Sequence, residues 1–250
     1  MAHKNSTSVP RMFRCQLRTE LQDIGVSFAK KSMSKEATSM KFKILKIIIL
    51  AIVLYAVVRM WHWPIGFTYF TQLSNLFIGA VVFLQLSYGT GKLCALKYAA
   101  TVSILITFFV YLTVLGMMVP GGLWEAYRQD HYASLCMHLL VPFLSLVDFL
   151  LNDRVYYQHR RWRVHALLPP IVWYVFILVL GLCGLRWNGM AAPYPFLNYT
   201  APAGWLGFLP GTFSRSTMGI GVFYSLLAML GLFLLIGFLL QRACIIRKKE

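Results

Sequence analysis

The chain has 250 residues, of which 58% are hydrophobic and only 13% charged, with a mean hydropathy of +0.64. A soluble domain carries about 25% charged residues, so this composition excludes an ordinary water-soluble enzyme and predicts an all-α, polytopic membrane protein. The net charge of +16 invites a nucleic-acid reading, which the placement of the basic residues argues against.

Residues 1–44 are polar and basic and contain no apolar core of signal-peptide length. Within them Phe13, Leu17, Leu21, Ile24 and Phe28 recur at helical spacing beside Arg14 and Arg18, the pattern of an amphipathic helix lying on the inner leaflet. Met40 stands directly ahead of a basic stretch and the first apolar run, which makes it a second candidate start of translation.

Six runs then approach the ~20 residues needed to cross ~30 Å of hydrocarbon: Leu45–Trp63, Thr68–Tyr88, Tyr98–Val119, Ser134–Leu151, Val164–Leu185 and Thr217–Leu240. A backbone in lipid must satisfy its own hydrogen bonds, so the runs are predicted helices. They form one six-span domain over 45–241, followed by a basic tail at 242–250. Counting Lys and Arg by loop gives ten before residue 47, then Lys92 and Lys97, then Arg154, Arg160, Arg161 and Arg163, then Arg242, Arg247, Lys248 and Lys249. Only Arg59, Arg128, Arg186 and Arg215 fall at the other face. The 20-to-4 split predicts cytoplasmic termini by the positive-inside rule, an inner-membrane location in a bacterium, and attraction to anionic inner-leaflet lipid. No nucleic-acid partner is expected.

The outer segment 186–216 holds Pro193, Tyr194, Pro195, Phe196, Pro202, Trp205 and Pro210 with two charges. Such a composition suits an aromatic cap folded back over the bundle rather than a solvated linker. The cysteines show no metal spacing. Cys136 and Cys183, both near outer helix ends, form a conceivable disulfide, with inert membrane thiols as the plainer expectation. His131 and His138 lie about 10.5 Å apart along an ideal helix, too far to share a metal ion. No cofactor is expected.

Two spans carry polar faces. Thr68, Thr71, Gln72, Asn75 and Gly79 fall within about 100° on span two. His131, Ser134, His138, Ser145, Asp148 and Asn152 form a similar stripe on span four, with Pro142 beside it. Thr71 and His138 each lie about one turn in from the same face, so the depths permit them to meet. Such polar side chains commonly act as interhelical glue worth ~0.6–2 kcal/mol per bond. The functional reading is a dyad: a threonine hydroxyl needs a base within reach, histidine is the usual one, and Asn75 is placed to orient the imidazole or donate to an oxyanion. Asp148, about 15 Å beyond His138, is predicted to be structural and paired with Arg154 or Arg163. No Gly-x-Ser-x-Gly elbow is present.

Three segments occur in an order that resembles a known family: Tyr69-Phe-Thr-Gln-Leu-Ser-Asn75, Met137-His-Leu-Leu-Val-Pro142 and Tyr194-Pro-Phe-Leu197. With six spans, the chain is similar over about 45–240 to the androgen-induced-protein family, in its bacterial branch. Animal members are intramembrane threonine hydrolases of fatty acid esters of hydroxy fatty acids. The resemblance implies Thr71 as nucleophile and His138 as the second catalytic residue, supported by Gln72, Ser74, Asn75 and Tyr194. Ser74 stands where those enzymes carry an acidic residue, and Pro142 is one residue closer to the histidine.

The leading expectation is therefore a lipid-ester hydrolase acting on a fatty acyl ester that enters between helices. The alternative is a transporter or lipid-binding protein using the same polar cavity, although no span is expected to be broken by the Gly/Pro pairs of midplane ion sites. A third is an assembly factor, to which Gly219, Gly221 and Gly231 contribute only a hint of helix packing.

Overall fold

The computed structural model describes residues 40, 42–60, 64–90, 93–116, 119–153, 162–209 and 219–246. The chain divides into two units, 1–44 and 45–250, and every element named below belongs to the second. The expected interfacial helix around Phe13 to Phe28 lies outside the described residues, as do Arg154 and the side chain of Arg163.

The described residues are helical, with two isolated bridges and no strand. The helices are α1 (45–59), α2 (Phe70–Tyr88), α3 (Cys94–Val114), α4 (Gly122–Arg128), α5 (Ala133–Asp153), α6 (Trp162–His165), α7 (Leu168–Leu182) and α8 (Val222–Ile246). Four of them, α2, α3, α5 and α8, are long and apolar enough to cross a membrane, which marks the chain as an integral membrane protein. The expected fifth span, Val164–Leu185, is interrupted: α6 ends at His165 and a turn precedes α7. Pro169 and Pro170 explain the break, because a residue without an N–H fits a helix only in its first turn.

Helix α3 is the central one, packed against α2, α5, α6, α7 and α8. One side of it joins a cluster with Ile49, Val53 and Val57 of α1 and Ile78 and Val82 of α2. The other joins α5, α7, α8 and the segment 187–197 through Tyr98, Phe149, Trp187 and Phe196. Such interdigitation replaces the hydrophobic drive that lipid does not supply between helices.

Segment 186–209 folds back as the aromatic cap expected of it. Trp187, Ala191, Tyr194, Phe196 and Leu197 are all buried. Its entry is a two-residue turn, Asn188 at φ 50° and Gly189 at φ 83°, closed by reciprocal Trp187–Met190 bonds of 3.0 Å. Asn-Gly is the pair that tolerates positive φ at both central positions. The cap rests against Gly181 of α7, where a Cβ would collide with the Ala191 carbonyl oxygen. Gly181→Ala is expected to lift this contact and destabilise the fold by about 1–3 kcal/mol. A thermal midpoint in detergent unchanged from the parent protein would count against that packing.

Three turns widen to π geometry: Tyr111–Leu115, Cys136–Leu140 and Phe149–Asp153. The second has a local cause. Pro142 offers no N–H to the His138 carbonyl, and the Val141 N–H reaches back to Cys136 O instead.

At the end of the bundle where α1 and α3 begin and α2 and α5 finish, four charged side chains are sealed together. Asp148 Oδ2 accepts from Lys46 Nζ at 2.7 Å and from Lys97 Nζ at 2.5 Å. Lys46 also reaches Asp153 (3.4 Å) and Gln85 (2.7 Å), and Gln85 Nε2 donates to Asp153 at 2.8 Å. Asn152 Nδ2 closes the far oxygen of Asp148 at 2.6 Å. All four charged residues are 3% exposed or less, and two positive charges meet two negative ones. Among the described residues the charged partners of Asp148 are thus Lys46 and Lys97, while the expected arginine partners, Arg154 and the Arg163 side chain, lie outside them. Lys97 is a buried residue of α3, not a loop cation, because the helix starts at Cys94 rather than Tyr98. The described cysteines, Cys94, Cys136, Cys183 and Cys244, are all free, so no Cys136–Cys183 disulfide forms.

Candidate active site

Thr71 sits in the first turn of α2, directly after a 3-10 turn over Ile65–Thr68. Two indoles hold that entry: Trp187 Nε1 donates to Thr68 Oγ1 (2.6 Å) and Trp173 Nε1 to the Thr68 carbonyl (2.8 Å). The first-turn N–H groups of a helix have no intrahelical acceptor, and the Thr71 N–H is taken by the Tyr194 hydroxyl at 3.3 Å. The same phenol lies 3.3 Å from Thr71 Oγ1. Tyr194 is therefore a remote cap of α2 as well as the partner of the threonine hydroxyl.

His138 lies within the π turn of α5, 5% exposed. Its ring stacks on Tyr111 with centroids 3.6 Å apart and planes 11° off parallel. Tyr111 is fixed in turn by the Ala126 carbonyl (2.9 Å) and by Ser134 Oγ (2.6 Å). His138 Nδ1 is buried with no hydrogen-bond partner, which is unusual for a polar atom in a packed interior.

Thr71 and His138 line the same cavity, of about 470 Å³, together with Gln72, Tyr111, Asn188 and Tyr194. No hydrogen bond joins the two directly, since the partner of Thr71 Oγ1 is Tyr194. Thr71 also borders a second, apolar chamber of about 90 Å³, walled by residues that include Ile106, Trp173 and Phe233. Thr71 and Tyr194 are the residues common to both spaces.

The supporting residues take distinct places. Asn75 Nδ2 donates to the Thr71 carbonyl (2.8 Å) and to the Met137 carbonyl (3.5 Å). Its donors are thus engaged with backbone carbonyls, and Asn75 clamps α2 to α5 beside both members of the pair. Gln72 Nε2 ties α2 to the end of α1 at Met60 O (2.6 Å). Ser74 Oγ bonds Thr71 O (3.1 Å) and Thr107 Oγ1 (2.9 Å), a neutral link to α3 where an acidic residue would bring a charge. Among the described residues no three His, Cys, Asp or Glu side chains converge on a metal position.

Tyr111 and Trp173 belong to this site and were not singled out by sequence, whereas Thr68 already stood on the polar face of span two. The signal was present for Tyr111 and Trp173, since a Tyr or Trp inside an apolar run carries a polar handle that needs a partner.

Burial pushes the Tyr194 phenol up to about 12 from its ordinary 10.0, against the opposing bonds from Thr71. A raised value means that the folded state holds the proton more tightly. The stability it contributes is complete below pH 10 and is lost as pH rises from 10 to about 12. Tyr194→Phe is expected to flatten that alkaline limb of an unfolding profile followed by tryptophan fluorescence, and an unchanged limb would contradict the assignment. The chain matches no family model, no curated protein and no solved structure.

Proposed function

We propose that the protein is an intramembrane lipid-ester hydrolase with Thr71 as nucleophile and His138 as base. One observation carries the reading: the two side chains line one cavity, and the imidazole there has an unpartnered, buried Nδ1. Thr71 Oγ attacks the ester carbonyl carbon while its proton passes to His138 across the cavity, through one water. Collapse breaks the bond to the alkoxy oxygen, which leaves as the alcohol with the proton from His138. Water then attacks the acyl-threonine and yields a proton to His138. The acyl bond to Oγ breaks, Thr71 recovers the proton, and the fatty acid departs. Tyr194 holds the Thr71 hydroxyl throughout, and no cofactor takes part.

Helical residues 42–59 and α7 would complete six crossings, with both termini cytoplasmic and the Thr71 end facing outward. Removing the internally paired Lys46 and Lys97 from the twenty inner-face cations leaves eighteen against four, so the positive-inside asymmetry persists. The order of the Thr71, His138 and Tyr194 segments is the ground on which the protein is proposed to be kin to the androgen-induced-protein-like hydrolases.

The missing Thr71–His138 hydrogen bond favours a second reading, a lipid-binding protein or transporter that uses the same cavity without cleavage. A fluorophosphonate probe separates the two. Labelling of the purified protein that disappears in Thr71→Ala supports the hydrolase. Labelling that persists in that variant, or bound ester recovered intact after long incubation, removes it.

A further inference from the structure

Two apolar spaces lie along the first turns of α2, one bordered by Thr71 and the other by its neighbours Phe70, Leu73 and Ser74. The chamber that Thr71 borders is small, about 90 Å³. A groove of about 690 Å³ runs between α2, α3 and α7 and is lined by Leu73, Phe77, Ala99, Leu168, Val172 and Phe176 among others. Leu168, Val172 and Phe176 are each at least 45% exposed, so the groove opens on the flank of the bundle where lipid chains run. Phe70 and Trp173 line both spaces. Their rings touch, with centroids 5.1 Å apart, and Trp173 is anchored by its bond to the Thr68 carbonyl.

The chamber has no charged residue in its lining, and Thr71 borders it while His138 does not. An ester whose carbonyl sits at Thr71 with its alcohol portion in the wetter cavity must direct its acyl chain into this chamber. We propose that Trp173 is the specificity residue of the site: it closes the chamber against the groove and so limits the length of acyl chain that reaches Thr71. The inference rests on Thr71 being the nucleophile.

The test uses the full-length protein in detergent and a series of p-nitrophenyl esters from butyrate to palmitate, with kcat/KM measured for each. Trp173→Leu joins the two spaces, and its optimum is expected to move to longer chains, by about fourfold in kcat/KM for each methylene newly buried. Met229→Trp fills the chamber from α8, and its optimum is expected to move to shorter chains. Profiles of both variants parallel to the parent's would overturn the role of Trp173. If Trp173→Leu fails to fold through loss of its bond to Thr68, an unshifted Met229→Trp profile alone overturns it. Thr71→Ala keeps the failures apart: hydrolysis retained in that variant removes the nucleophile reading, whereas hydrolysis lost there with unshifted profiles removes only the chain-length inference.

Discussion

Asp148→Ala is expected to be the most destabilising single change in the bundle. It strips both lysines of their shared acceptor, because Lys46 and Lys97 each bond Oδ2 and the whole group is sealed from solvent. A buried pair broken on one side costs about 3–5 kcal/mol, since an uncompensated charge remains inside. The measurement is the unfolding midpoint in detergent, and the informative comparison is a cycle. Adding Lys97→Met to Asp148→Ala restores neutrality, leaving Lys46 with Asp153 and Gln85. The double variant is expected to be more stable than Asp148→Ala alone. Strictly additive losses would mean that the cluster is held by shape rather than by charge balance.

His138→Ala is expected to lower ester hydrolysis by about 10²–10⁴-fold, the usual contribution of a positioned general base. The stack on Tyr111 supplies a structural role that a bare loss of activity would not distinguish. Two further measurements do so. His138→Phe retains an aromatic partner for Tyr111 and should keep the unfolding midpoint while losing activity. Free imidazole should enter the vacated space of the roughly 470 Å³ cavity and restore part of the rate in His138→Ala, which it does not do for a residue that merely packs. Activity retained in His138→Phe would exclude proton transfer by this residue.

The residues of the site were legible to different degrees. The face of α2 bearing Thr71, Gln72 and Asn75 reads from the 3.6 period alone, and an ionisable residue deep in an apolar run, as His138 is, stands out by its cost. Composition also foretold the cap, because nine prolines and aromatics between 193 and 210 do not suit a solvated linker. The cluster around Asp148 was hidden: its lysines lie 102 and 51 residues away in sequence, and cations at helix ends read as topology signals. The bond of Tyr194 to Thr71, spanning 123 residues, lay beyond any local pattern, although the segment that bears it had been picked out. The wide turns were equally hidden, since a π turn leaves no period of its own in a short stretch of sequence.

The wide turn at Cys136–Leu140 holds His138 itself, and a regular stretch of the same helix, Val141–Asp148, connects it to Asp148, so the number of residues in that stretch sets how the imidazole and the carboxylate face relative to one another. Deleting one residue from the regular stretch between Val141 and Asp148 would swing the Asp148 end by about 100° relative to His138. Asp148 would then point away from Lys46 and Lys97, or else the imidazole would leave its cavity. A single-codon deletion in this stretch would therefore uncouple the two ends of the protein at once.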